Sequence, residues 1–288
     1  MNAIVYLTEK SMKDEGRMRS NNDKDWSYEH GIATYALAEA YSIARYGKRQ
    51  LPNVRDAVVN GIKIIIDGQT NNGGWCYSYQ NAASDMSVSG WQIQALKAAN
   101  HTKLSIPKLK SAMAEAKRMV ENYQGGAGGF GYRGREDKYS LTGTGVLSLQ
   151  MMGDGNKKPA KDGIKYIREQ NHGAKWGGGG ESANLYAWYY ITQAMFQAGG
   201  DDWKWWNDMF RDGLVNSQND DGSWPAANGD RTNQAKGDAD TYRTCLCILM
   251  LEVYYRYLPG TLDLKKGGID GAEFKGLDAL KKKEDAGE

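Results

Sequence analysis

The chain has 288 residues and a formal net charge of +2, and its 25% charged residues mix both signs along the sequence. Such a chain has no field that would attract nucleic acid or an anionic membrane. Mean hydropathy is −0.69, and no run of about 18 apolar residues occurs, which excludes a transmembrane helix. Three cysteines and an N-terminus without a basic, apolar leader favour a reducing, cytoplasmic compartment.

Apolar residues recur at helical spacing along most of the chain. The pattern predicts ten helices, at residues 3–10, 28–46, 52–66, 88–99, 107–123, 141–152, 159–170, 185–198, 202–218 and 242–258. Alternate helices differ in kind, because one set is rich in small and aromatic residues and the other carries charges along one face. This difference predicts buried inner helices that alternate with surface outer helices.

One phrase recurs where an outer helix ends. Residues 69–75 and 218–224 both read Q-x-x-x-G-x-W, residues 124–130 carry Phe in place of Trp, and residues 170–176 carry Ala in place of Gly. A worn copy lies at residues 12–18. The four clear copies are 46 to 55 residues apart, which is the period of a two-helix repeat that must stack on its neighbours. Glycine lets the chain turn through positive φ, and the aromatic residue packs under the turn.

These turns between alternating helices resemble the QW repeats of squalene-hopene cyclases, oxidosqualene cyclases and protein prenyltransferase β subunits. The resemblance implies an all-α (α/α) toroid of about five to six helical hairpin repeats. Ten helices fall short of the family's twelve, so we expect a missing N-terminal unit or an open ring. We interpret residues 1–259 as one toroid domain and residues 260–288 as a charged, mobile tail.

The resemblance also implies a place for an acid. Class II terpenoid cyclases carry D-x-D-D-T-A at the start of an inner helix, and here the corresponding run contains Asp238, Ala239, Asp240 and Thr241. This run can be aligned with the family motif either on its threonine or on its D-x-D, and each alignment leaves it one carboxylate short of the family pattern. Asp238 or Asp240 is then the predicted catalytic acid of a class II terpenoid cyclase-like isomerase or lyase with a degenerate motif.

A second resemblance at this helix points away from a metal. Residues 240–247 resemble the D-x-Y-H-T-C-x-C run of prenyltransferase β subunits, in which the histidine binds zinc. Arg243 stands at that position, and a guanidinium cannot bind a metal because it does not deprotonate. The sequence therefore predicts no metal and no cofactor, and it disfavours a zinc-dependent prenyltransferase.

The remaining acids and histidines have simpler interpretations. An acid precedes each of the other inner helices, and we predict that these residues are helix N-caps: Asp25, Asp85, Asp137 and Glu181. The three histidines lie in unrelated places and are expected to be solvated: His30, His101 and His172. Trp203, Trp205 and Trp206 open an outer helix and are expected at its start or on a surface patch.

Aromatic residues gather on the inner helices. In terpenoid cyclases such rings line the central cavity and stabilise carbocations, so the resemblance implies a substrate-binding set of Trp26, Tyr28, Trp91, Tyr139, Tyr186, Trp188 and Tyr242. The alternative is that large aromatics fill the helix–helix contacts. Both interpretations stay open for the set.

Two functions follow from the sequence. The first is a cyclase-like or prenyltransferase-like toroid that binds an isoprenoid or another apolar small molecule in its central cavity. The second is a non-catalytic toroidal binding or scaffold module, as a part of a longer chain. An aromatic-lined cavity with Asp240 at its wall would favour the enzyme, and a ring centre plugged by Trp and Tyr side chains would favour the scaffold.

Overall fold

The computed structural model describes residues 2–20, 26–47, 50–79, 83–232 and 238–255. Within them the chain forms ten α-helices and no β-strand. The helices are α1 (Asn2–Lys13), α2 (Trp26–Tyr46), α3 (Val54–Asp67), α4 (Met86–His101), α5 (Leu109–Asn122), α6 (Tyr139–Met151), α7 (Lys158–Gln170), α8 (Leu185–Ala198), α9 (Gly200–Val215) and α10 (Ala239–Leu251).

The even-numbered helices form an inner layer and the odd-numbered helices an outer layer. Successive inner helices pack against one another from α2 to α10, and each outer helix from α1 to α9 packs on an inner helix. Helices α4 and α6 are buried almost all round, whereas α5 and α7 bury only one stripe. This arrangement confirms the (α/α) toroid. No helix of the described residues is long and apolar enough to span a membrane.

Three of the repeated phrases form the same turn, and we call residues 69–75, 124–130 and 218–224 the glycine turns. Their central glycines have φ of +94°, +100° and +85°. Trp75 Nε1 donates to Ile65 O at 2.7 Å, and Trp224 Nε1 donates to Leu214 O at 2.8 Å. The aromatic ring thus ties the turn back to the outer helix that precedes it.

The glycine turns also reach forward to the next outer helix. Gln69 Nε2 donates to Gly73 O within its own turn and to Ala112 O of α5, at 2.6 and 2.9 Å. The amide of Gln124 does the same with Gly128 O and with Pro159 O of α7. One side chain therefore joins consecutive repeats.

The two irregular copies behave differently from each other. In residues 12–18, Gly16 has φ of +95° and Met18 is only 2% exposed, so the worn copy keeps the turn with Met in the aromatic position. In residues 170–176 the chain turns at Asn171 and Gly173 instead, and Trp176 is only half-buried. The alanine in the glycine position explains the difference, because an L-residue rarely adopts positive φ.

The last inner helix corrects one expectation. The predicted helix 242–258, apolar on all sides, ends at Leu251 and continues as a 3₁₀ turn at Glu252–Tyr254. Cys245 and Ile248 are exposed on α10, because the helix packs on α8 at one side and is the last inner helix described. The predicted tail 260–288 and the end of the predicted domain lie outside the described residues.

Candidate functional site

Three aromatic side chains fill the space between the inner helices. Trp91 of α4 stacks on Tyr189 of α8 with ring centroids 5.4 Å apart and meets Tyr190 edge-on at 5.8 Å. Tyr189 and Tyr190 contact each other at 4.8 Å, and none of the three is more than 3% exposed. Tyr189 OH donates to Gln94 Oε1. These rings form a packed floor between the inner helices.

Half-buried tyrosines also lie near the N-termini of three inner helices, α2, α8 and α10. Tyr28 OH lies 2.5 Å from Ser87 Oγ, and the Tyr186 ring lies 5.0 Å from Tyr190 of the floor. Tyr242 of α10 is close enough to influence the ionisation of Tyr186 and Tyr190. We call Tyr28, Tyr186 and Tyr242 the tyrosine mouth.

The tyrosines of the mouth stay protonated at neutral pH. Burial raises the pKa of Tyr186, and nearby Tyr242 and Asp85 raise it further against the lowering effect of neighbouring hydroxyls. Burial also raises the pKa of Tyr28, as do Tyr186 and Asp85, and it raises the pKa of Tyr242 to about 12. These phenols can therefore donate and accept hydrogen bonds, but they cannot serve as bases near neutrality.

Several hydroxyls at the mouth lack a well-formed partner within the described structure. Tyr186 OH approaches Thr144 and Tyr190, yet the distances and angles do not amount to hydrogen bonds at any of these three oxygens. Leaving a buried hydroxyl unsatisfied costs about 1–3 kcal/mol. A polar group of a ligand placed among them would remove that cost.

Asp85 caps α4, as predicted, and it also closes one side of the mouth. Its Oδ1 accepts from Ser87 N at 2.9 Å and from Val88 N at 3.3 Å. Its Oδ2 lies 3.5 Å from Arg133 Nε, although the carboxylate is fully buried and the guanidinium is half-exposed. The Asp85 side chain thus lies at the N-terminus of α4 and faces a guanidinium.

An aromatic pair beside Asp85 was missed by the sequence analysis. Arg133 lies over the rings of Tyr77 and Tyr132, 5.5 and 5.2 Å from their centroids. The two phenolic oxygens are 2.8 Å apart. These residues lie in the segments that connect the helices, where helical periodicity carries no information. The adjacent Tyr132 and Arg133 just after a glycine turn were the available signal.

Two of the predicted N-caps are wrong. Asp137 accepts from Gly129 N at 2.7 Å and from Ala127 N at 3.1 Å, so it braces a glycine turn instead of a helix. Asn184 caps α8 in place of Glu181, which accepts a hydrogen bond from the Asn184 side chain. The predicted cap Asp25 lies outside the described residues.

The two predicted catalytic acids face solvent. The Asp240 side chain is 89% exposed and accepts from Arg243 Nη1 at 2.7 Å. Arg243 itself is 1% exposed, and its Nε donates to the buried Asp230 at 2.9 Å. Asp238 is exposed and makes no side-chain cap to α10. An acid that protonates a hydrocarbon must be shielded from water, and both of these side chains are exposed.

Trp188 packs between the two layers of helices. It is fully buried, its Nε1 donates to Ser182 O, and its ring meets Trp176 and Trp206 edge-on at 6.5 Å. Trp206 is fully buried as well and donates to Thr192 Oγ1 at 2.8 Å, which excludes the surface-patch alternative for that residue. Both tryptophans contribute to helix packing.

Trp26 and Tyr139 have contacts in the loops rather than at the mouth. The Trp26 ring meets Tyr79 edge-on at 4.8 Å and lies under the Arg19 guanidinium. The Tyr139 ring meets His172 edge-on at 4.5 Å. Of the seven predicted binding residues, only Tyr28, Tyr186 and Tyr242 form the mouth, with Trp91 in its floor.

His30 corrects the expectation of a solvated histidine. It is fully buried, with Nδ1 accepting from Met18 N at 3.1 Å and Nε2 lying 3.0 Å from Gly61 O. These partners require the neutral tautomer that carries its proton on Nε2. Burial lowers the pKa of His30 to about 4. His172 is exposed, as expected.

Comparisons with known proteins bear on the fold of this chain. No protein-family model matches the chain, and no curated protein matches it. Among solved structures, the type II terpene cyclase MstE from Scytonema is similar in its apo form, with 11% identity and a TM-score of 0.54 over 88% of this chain and 74% of that chain. A variant of MstE in complex with its substrate, geranylgeranyl dihydroxybenzoate, gives 11% identity and a TM-score of 0.55 over 88% and 75%. The chain therefore has a terpene cyclase-like fold.

Proposed function

We propose that this protein is a non-catalytic toroid that binds an isoprenoid or a comparable apolar small molecule at the tyrosine mouth. The observation that carries the proposal is the group of hydroxyls of Tyr186, Tyr190 and Thr144, buried together without well-formed hydrogen bonds. The half-buried Tyr186 ring lies 5.0 Å from the Tyr190 ring, and Trp91 and Tyr189 contact Tyr190 as well. Such a site suits a molecule with an apolar body and one polar head.

The structural relatives support this ligand class. The substrate in the MstE complex joins a geranylgeranyl chain to a dihydroxybenzoate, so it has an apolar chain and a polar head. In this chain the rings of the mouth would contact the apolar part, and the neutral phenols would donate to the oxygens of the head. We further propose that the glycine turns are counterparts of QW repeats, a proposal that their shared Gln and Gly support.

Binding is favoured over cyclisation by the surroundings of the acids. Asp240 is exposed and paired with Arg243, and the ring centre beneath the mouth is packed by Trp91, Tyr189 and Tyr190. An acid role for Asp238 or Asp240 stays a prediction. Incubation of an Asp240→Asn variant with the compound used in the binding test below can test that role.

The test is calorimetric titration with geranylgeranyl dihydroxybenzoate for the unmodified protein, for Tyr186→Phe and for Tyr6→Phe. Tyr6 is an exposed tyrosine on α1 and serves as the control. Loss of one hydrogen bond of about 1 kcal/mol predicts binding roughly five- to tenfold weaker for Tyr186→Phe. Tyr6→Phe should bind like the unmodified protein.

Two results would overturn the proposal. The first is a failed binding test, in which geranylgeranyl dihydroxybenzoate does not bind or binds Tyr186→Phe as tightly as the unmodified protein. The second is a cyclised product, detected by mass spectrometry after incubation and missing with Asp240→Asn, which would establish an enzyme with Asp240 as its acid.

A further inference from the structure

The last glycine turn keeps its internal bonds but lacks a forward partner among the described residues. Gln218 Nε2 donates to Gly222 O at 2.9 Å, as the glutamines of the other two glycine turns do to their own glycines. Those glutamines also donate to Ala112 O and Pro159 O of the next outer helix. Gln218 is exposed, and the internal bond is the only one that its side chain makes to the part of the chain that the structure describes.

The glycines of the three turns show the same difference. A Cβ on Gly73 would lie 2.3 Å from Glu115 O of α5, and a Cβ on Gly128 would lie 2.8 Å from Asp162 O of α7. For Gly222 the nearest atom belongs to Gln218 of its own turn, at 3.9 Å. An outer-helix backbone therefore lies against the first two turns, and the described structure leaves that space open at the third.

An apolar side chain beside the last turn is exposed in consequence. Val215 precedes the first residue of its turn by three positions and is 49% exposed. Ile66 holds the same position before the first glycine turn and is half-buried, whereas the second glycine turn has Glu121 at that position. Ile248 of α10 is 44% exposed as well. The surface formed by Gln218, Gly222 and Val215 is the last-turn surface.

The order of the chain indicates what covers this surface. After each of the first two glycine turns comes an inner helix and then the outer helix that the turn holds, α5 or α7. After the last turn comes α10, and then the 33 residues 256–288. Outer helices α3 to α9 contain 13 to 16 residues, so this segment is long enough to supply another.

The sequence after α10 resembles the links that lead into the earlier outer helices. Pro52, Pro107 and Pro159 follow the ends of α2, α4 and α6 by six to eight residues, and Pro259 follows the end of α10 by eight. Farther on, Phe274, Leu277 and Leu280 recur at a spacing that would place them on one face of a helix.

We propose that residues 256–288 dock on the last-turn surface. Gln218 Nε2 donates to a backbone carbonyl of this segment, as Gln69 and Gln124 do to their partners. The apolar residues of the segment cover Val215.

The test is hydrogen–deuterium exchange of the full chain, followed by mass spectrometry, for the unmodified protein, Gln218→Met and Asp220→Asn. Methionine keeps the size of the side chain and removes its donor. Asp220 is an exposed residue of the same turn and serves as the control. We expect part of residues 256–288 to exchange at least tenfold more slowly than an unstructured peptide, and we expect Gln218→Met, but not Asp220→Asn, to reduce that protection.

Three outcomes would overturn the proposal. Residues 256–288 could exchange at the rate of an unstructured peptide. They could be protected to the same degree in Gln218→Met, which would place them elsewhere. The protection could also grow with protein concentration, which would identify a second copy of the chain as the partner.

Discussion

At the scale of single residues, His30 shows how the fold fixes a protonation state. Its ring is buried between Met18 N and Gly61 O, and Nδ1 must accept a hydrogen bond. A second ring proton would point at the Met18 N–H group and place a charge in the core. For both reasons the neutral form is favoured, and the pKa of His30 falls to about 4.

The free energy of unfolding should therefore decrease as the pH is lowered through a defined range. The folded pKa is below the unfolded value of about 6.5, so the stabilisation is fully present above pH 6.5 and is lost as pH falls toward 4. Between pH 7 and pH 5 we expect His30 to account for a loss of about 2 kcal/mol in the free energy of unfolding.

Urea unfolding of the unmodified protein and His30→Gln at both pH values measures this contribution. The variant should show a pH dependence smaller by about that amount, whereas the exposed-histidine variant His172→Gln should match the unmodified protein. Equal pH dependence in all three proteins would contradict the assignment of a neutral, buried His30.

At the residue level, the sequence predicts position where the determinant is local. Tyr28, Tyr186 and Tyr242 each lie near the start of an inner helix, which periodicity identifies, and their role in binding stays a prediction. The buried His30 and the exposed Asp240 could not be foreseen. Their surroundings are set by Gly61 and by Arg243 with its second partner Asp230, and only the folded chain brings those groups together.

At the scale of elements, the glycine turn carries its own determinants, so the sequence predicts it well. The contacts of the glutamine, the glycine and the aromatic residue lie within the turn, with the outer helix before it or with the outer helix after it. Residues 170–176 lack the glycine, and the turn changes with it. The connecting segments of Tyr77 and Arg133 have no comparable phrase and were not predicted.

The close approach at Gly73 can be measured by substitution. Gly73→Ala would combine positive φ with a Cβ only 2.3 Å from Glu115 O, so α5 must move. We expect a loss of about 3–5 kcal/mol in the free energy of unfolding, from backbone strain and overpacking together. Gly173→Ala is the control, because Gly173 has φ of +73° and open space around its Cα.

Urea denaturation of both variants separates the two effects. The control should lose only the strain, about 1–2 kcal/mol. If the two variants lost the same amount, the contact between the turn and α5 would not constrain the structure.

At the scale of the whole molecule, burial is greatest in the middle of the inner layer. Helices α4, α6 and α8 each have an inner neighbour on both sides, whereas α1 exposes Val5, Tyr6 and Met12. Repeat proteins derive stability from nearest-neighbour interfaces, so helices with fewer neighbours open more readily.

We therefore expect a gradient of amide exchange along the helices. In native-state exchange, the slowest amides should lie in α4, α6 and α8, and those of α1 should exchange at least tenfold faster. A uniform rate in all helices would mean that the chain opens in a single cooperative step. Mass spectrometry of peptides from the helices alone distinguishes the two cases.

The forward reach of the glycine turns has a consequence for biosynthesis. Gln69 is translated before Ala112, and Gln124 before Pro159, so the donor of each joint leaves the ribosome earlier than its acceptor. Each emerging outer helix then meets a turn already tied to the helix before it. The toroid can therefore assemble in the direction of translation, one repeat at a time, without waiting for its C-terminus.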